Sequence, residues 1–148
     1  MSVDLMQPIV WRVDFSTGVG MIDDQHRVLI NMLNDAATKL TDQSSLEEVG
    51  RIVQGLVNYT DYHFKTEERA ISEQGYDAIR PADAEAHIGQ HRDFVEKVIA
   101  VRERIRNGHR VPKDELVAFL SSWLTSHILH SDKALGAFIL DRKIRESR

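Results

Sequence analysis

The chain of 148 residues contains no cysteine, which excludes disulfides, thiolate zinc sites, iron-sulfur clusters and a cysteine nucleophile. A metal here would need histidine and carboxylate ligands. Proline and glycine are scarce, at three and eight residues, too few for a linker-rich or disordered chain. No internal repeat or low-complexity tract is present. Long hydrophobic runs are missing too. The longest uncharged apolar stretch, Ala134 to Leu140, falls far short of the ~20 residues a membrane span needs. No charged-then-apolar leader precedes Trp11, so a soluble, cytoplasmic protein that is not exported is expected. Basic excess is also absent, because 19 Lys and Arg face 23 Asp and Glu for a net charge of -4. Nucleic acid is therefore not an expected partner.

What remains is 42% hydrophobic and 28% charged, enough for one domain over residues 1–148 that hides roughly two thirds of its unfolded surface. Sustained strand alternation is lacking, with Ile9 to Phe15 the only weak candidate. The breakers Pro8, Gly18, Gly20, Gly75, Pro81, Gly108 and Pro112 divide the text into four long helical segments. The first starts at Asp23 or Asp24 and carries Ile22, His26, Leu29, Leu33, Ala36 and Leu40 on one face. The second opens with Ser44 and Ser45, each followed three residues later by glutamate, a capping-box pattern, and runs to about Gln74. Its stripe holds Val49, Ile52 or Val53, Leu56, Thr60, His63, Glu67 and Ala70.

A third helix begins after Pro81 and ends near Gly108, aligning His87, His91, Phe94, Val98, Val101 and Ile105. The fourth starts at Pro112 and carries Leu116, Leu120, Trp123, His127 and then Ser131, with a short packed tail from Ala134 to Leu140. Four helices joined by short loops predict an all-α, up-down-up-down four-helix bundle with an N-terminal arm, including Trp11, and a short C-terminal segment.

Each apolar stripe is interrupted by residues that resist burial: His26, then His63 with Glu67, then His87 with His91, then His127. Glu85, Gln90 and Arg92 lie off the Phe94 and Val98 stripe, which leaves His87 and His91 facing inward. Residues four apart share a helix face at about 6 Å, so each of the two pairs presents its donor atoms to neighbouring points. Asp132 stands five residues after His127, a spacing that a loosened helix accommodates. Buried imidazoles and carboxylates are costly unless paired or bound to metal. Five histidines and two carboxylates exceed the needs of one tetrahedral zinc and divide between two metals, for which iron is the simplest reading. His109 and His130 lie off these faces and read as surface residues. The ferritin-like ExxH and the protease HExxH patterns are both absent.

These residues resemble the hemerythrins, and more closely the single-domain bacteriohemerythrins, from about Trp11 through Leu135. The carriers are Ile22-Asp23-Asp24-Gln25-His26, His63-Phe64 followed by Glu67-Glu68, the His87 and His91 pair, and His127-Ile128 followed by Asp132. The resemblance implies two iron ions cycling between Fe2+ and Fe3+, with a bridging hydroxide or oxide. His87, His91 and His127 would hold one, His26 and His63 the other, and Glu67 and Asp132 would bridge them. The iron with two histidines would keep an open position for dioxygen, walled by Leu29, Phe64, Trp123, Leu124 and Ile128. Reversible oxygen binding by a non-enzyme, for transport, storage or sensing, is the implied function, with a monomer the expected state. A di-iron enzyme of peroxide or nitric oxide defence, or of iron repair, is the alternative. It is disfavoured because oxygen-activating di-iron sites use more carboxylates.

Overall fold

A computed structural model describes residues 8–147. Its helices are α1 (Gly20–Lys39), α2 (Leu46–Glu73), the single turn α3 (Tyr76–Ile79), α4 (Pro81–Arg106), α5 (Lys113–His127) and α6 (Lys133–Glu146), with a π-helical segment, Ile128–Asp132, joining the last two. Among the described residues there is no strand, and the Ile9 to Phe15 stretch instead ends in a 3-10 turn at Val13–Phe15. The four long rods form the expected all-α bundle. α2 packs on α1 and α4, and α1 packs on α5. None of the described helices is long and apolar enough to cross a membrane.

Local chemistry sets the helix ends. The Ser45 hydroxyl accepts from the Glu48 amide at 3.0 Å, so Ser45 rather than Ser44 is the cap of α2. Gly75 ends that helix in the left-handed region at φ 76°, a conformation that glycine adopts without a steric penalty. The short loop expected between the second and third helices is itself partly helical. The chain makes one more helical turn, breaks at Arg80 and restarts at Pro81. Proline lacks the amide needed to extend the first turn but suits the start of a helix.

α1 also begins earlier than expected, at Gly20 rather than at Asp23 or Asp24. The buried Asp23 carboxylate is committed elsewhere. It accepts from the Thr17 amide at 2.9 Å, the Thr17 hydroxyl at 2.8 Å and the Ser16 hydroxyl at 3.2 Å. That ties the N-terminal arm to the bundle, where the Thr17 carbonyl passes so close to Gly136 that a Cβ there would collide with it. Farther out, the arm backbone at Ile9 exchanges two 2.9 Å hydrogen bonds with the Asn34 amide. Trp11 lies over the bundle with the Arg27 guanidinium 4.2 Å from its ring.

The fourth segment departs furthest from expectation. It is no helix plus tail, but runs on through the π segment into α6. The π turn widens the spiral, so Asp132 rather than Ser131 takes the inward position after His127.

The core is in two parts. A large apolar cluster fills one end of the bundle, with Leu33, Leu40, Val53, Val98, Ile105, Leu116 and Leu120 among its members. A small one, made of Ile22, Ile71, Tyr76, Ala84, Leu135 and Ile139, closes the other. The interrupting histidines and carboxylates lie between them.

Candidate metal centre

His26, Glu67 and Asp132 each stand one helical turn from members of both clusters. His26 follows Ile22 and precedes Leu29 on α1, and His87 with His91 lies between Ala84 and Phe94 on α4. The apolar layers above and below exclude water. His26, Glu67 and Asp132 are 0% exposed, and His63, His87, His91 and His127 no more than 3%. The structure therefore brings all seven predicted residues into one buried layer.

Their arrangement is divided by the two carboxylates. Glu67 directs Oε1 toward Nε2 of His26, at 3.3 Å, and of His63. Its Oε2 faces Nε2 of His87 at 2.7 Å, His91 at 3.1 Å and His127 at 3.7 Å. Asp132 repeats the division: Oδ2 lies 2.8 Å from His26, while Oδ1 lies 3.2 Å from His87 and 3.1 Å from His127. Two overlapping groups result, Glu67, His87, His91, His127 and Asp132 in one and His26, His63, Glu67 and Asp132 in the other, both able to hold a metal ion.

The donor set fits cations better than it fits itself. Both Asp132 oxygens and the His63 Nε2 are buried without a well-directed hydrogen bond, despite ring nitrogens and oxygens close by. These atoms face a common interior rather than one another. Nε2 of His91 and of His127 stand 3.0 Å apart. Imidazole nitrogen with carboxylate oxygen is a donor set suited to iron or zinc.

Without a cation, protons must balance the buried carboxylates. Burial opposes charge on His26 and His127, but Asp132 and Glu67 beside them outweigh it and hold both rings up at about 9. His87 is likewise raised against its burial by the same two carboxylates. For His91 burial prevails, and its pKa falls. Burial and the Glu67 charge press Asp132 upward, yet His127 and His26 hold it down at about 2. Glu67, also opposed by burial, is kept well below the ordinary carboxylate range by His63 and its other ring partners. Metal entry must displace the ring protons.

Beside the layer is a cavity of about 20 Å³ lined by Leu29, Leu33, Leu56, Thr60, Phe64, Phe94, Leu120, Trp123 and Leu124. Four of the five predicted wall residues line it. Ile128 is buried in the adjoining cluster but is not among them. Phe64 stacks on His91 with ring centroids 3.8 Å apart, and Trp123 on His127 at 4.5 Å. His109 and His130 are exposed, as expected.

Three of the five outer ring nitrogens have partners that went unrecognised in the sequence, while Nδ1 of His26 and of His87 is buried without one. His63 Nδ1 meets Gln25 Oε1 at 2.7 Å, His127 Nδ1 meets Gln90 Oε1 at 2.8 Å, and His91 Nδ1 meets Glu68 Oε2 at 3.3 Å. Each partner adjoins one cluster member in the chain and contacts the histidine of the next helix. The repeated Gln-His pair at 25–26 and 90–91 was the available sign.

Comparison with known proteins agrees with this geometry. The model of the hemerythrin HHE cation binding domain matches residues 17–139, a stretch containing every clustered side chain. A bacteriohemerythrin of Stenotrophomonas maltophilia (strain R551-3) is 37% identical over 129 residues, 87% of this chain and 80% of its own. A bacteriohemerythrin of Methylococcus capsulatus is 31% identical over 126 residues, covering 83% and 89%. The crystal structure of wild-type hemerythrin matches at a TM-score of 0.79 and 29% identity, over 90% of this chain and 98% of that one. With pattern, length and architecture in agreement, the chain belongs to the hemerythrin family.

Proposed function

We propose that this protein binds dioxygen reversibly at two iron ions held in the buried layer. The observation that carries this reading is the sharing of Glu67 and Asp132 by two separate nitrogen groups. His87, His91 and His127 would hold one iron, His26 and His63 the other, and the two carboxylates would bridge them. The group with fewer histidines leaves room for a small ligand. When bound, the iron pair supplies the two electrons that reversible oxygen uptake requires.

The chain's own residues supply the rest. The imidazoles and carboxylates fix the ions, with two negative charges buried beside five neutral rings. Leu29, Phe64, Trp123 and Leu124 keep bulk water, and with it protons, from the ligand. A space of about 20 Å³ exceeds the ~10–15 Å³ that one water-sized guest needs, so it suits a diatomic molecule. Members of the family are oxygen-binding proteins rather than enzymes, which also favours binding over turnover.

The test is the visible spectrum of anaerobically iron-loaded, reduced protein as air and argon alternate over several cycles. A coloured band that appears in air and vanishes in argon is expected, with two irons per chain. Irreversible conversion to the ferric state would overturn reversible binding. Sustained turnover of peroxide or nitric oxide with a reductant would replace it with a defence role.

A further inference from the structure

The three contacts on the outer histidine nitrogens are more than packing, because two of them are themselves oriented by a hydroxyl. On the α1 and α2 side, the Thr66 hydroxyl donates to the Tyr62 carbonyl at 3.2 Å, so toward Gln25 it can only accept. It accepts from the Gln25 amide nitrogen at 3.2 Å. Gln25 must then present its oxygen to His63, and His63 Nδ1 must carry the proton. The lone pair of His63 Nε2 is left pointing into the layer.

The α4 and α5 side repeats the device. The Ser131 hydroxyl donates to Gln90 Oε1 at 2.6 Å, a second donor on the oxygen that faces His127. His127 Nδ1 lies 2.8 Å from the same oxygen and must donate to it. Nε2 of His127 again faces the layer and is the atom left to bind metal once its proton is displaced. Glu68, an acceptor only, imposes the same state on His91. The hydroxyl residues, Thr66 and Ser131, immediately precede Glu67 and Asp132 in the chain. A unit of Gln, His and hydroxyl therefore occurs in both helix pairs, in each case next to a shared carboxylate.

We infer that Gln25 with Thr66, and Gln90 with Ser131, are duplicated positioning units that lock His63 and His127 in the tautomer able to bind metal through Nε2, with Glu68 serving His91 in the same way. This rests on the metal centre proposed above. Partners of this kind on ligating histidines change metal affinity by about 10- to 100-fold. Gln90 is exposed, so its replacement leaves the core intact.

The experiment uses zinc as a diamagnetic probe on the full chain. It follows zinc affinity by chelator competition and the imidazole Nδ1-H resonances by nitrogen-15 NMR in the parent, Gln90→Leu, Gln90→Glu and Ser131→Ala. Gln90→Leu is expected to weaken zinc binding by about 10- to 100-fold and to abolish the exchange-protected His127 Nδ1-H signal. Gln90→Glu, which keeps an acceptor oxygen, is expected to restore both. Ser131→Ala should act in the same direction more weakly. Unchanged affinity and an unchanged His127 signal in Gln90→Leu, with zinc bound by the parent, would overturn the positioning role alone. Failure of Gln90→Glu to restore either readout would do the same. A parent that binds no zinc would overturn the metal centre as well.

Discussion

The large apolar part of this bundle and the polar layer beside it are built on the same four rods and differ chiefly in what faces inward. In the distal part Leu40, Val53, Val98, Ile105 and Leu116 fill the space between the rods, and burial of apolar surface is sufficient to hold them together. A few turns away the same stripes present His26, His63, Glu67, His87, His91, His127 and Asp132 to one another, almost fully buried. That layer opposes folding unless something compensates its carboxylates and lone pairs. The apolar part is the scaffold and the polar layer its load. The two should therefore respond differently to the same treatment.

Metal removal should separate them most. The apolar part is indifferent to it, whereas the layer exchanges ligation for protons, so the metal-free protein should melt at least ~10 °C below the iron-loaded one, the sum of several kcal/mol at ~2–4 °C each. Scanning calorimetry of both forms checks this, and equal midpoints would remove the distinction. The next largest contrast comes from paired substitutions. Leu116→Ala should cost about 2–5 kcal/mol in denaturant unfolding, by the same amount with and without metal. Glu67→Gln, which removes a carboxylate shared by both nitrogen groups, should lower the metal content sharply while costing the metal-free protein less. An equal loss from Leu116→Ala in metal content would break the comparison.

A third test uses pH. In the metal-free protein His26 and His127 are held at about 9, above the ordinary value near 6.5. Their stabilising contribution is complete below pH 6.5 and is lost as pH rises through 9. Metal binding runs the other way, because it requires unprotonated rings. The stability gap between loaded and metal-free protein should therefore widen from pH 6.5 to 9, as denaturant melts across that range would reveal. A constant gap would mean that protons and metal do not compete for the same nitrogens. The smallest effect belongs to a helix end remote from the layer. Ser45→Ala should cost ~1 kcal/mol by loss of the cap on the Glu48 amide, equally in both forms.

Periodicity made the inward face of the long helices readable, and with it six of the seven members of the layer, because a histidine interrupting a leucine stripe is conspicuous. Cap chemistry narrowed the start of α2 to Ser44 or Ser45, and Pro81 marked the start of α4. Two kinds of information were hidden. One was long-range: Asp23 reads as a helix cap, but it is spent on Ser16 and Thr17, a contact no local pattern announces. The other was a change of helical geometry. A regular helix places Ser131 below His127, and only the π turn at Ile128–Asp132 brings Asp132 round instead. The spacing of five hinted at it, yet a continuous helix through α6 looked like a helix and a separate tail. The contact made by Gln90 was hidden for a related reason. This residue lies off the stripe of its own helix, and its value comes from the neighbouring one.

The proposed function requires the buried layer to hold two metal ions between shared carboxylates. Anomalous diffraction at the iron edge, from crystals of iron-loaded protein, tests it most directly. Two peaks are predicted, one among His87, His91 and His127 and one beside His26 and His63, both in contact with Glu67 and Asp132. A single peak, or none within the layer, would contradict it.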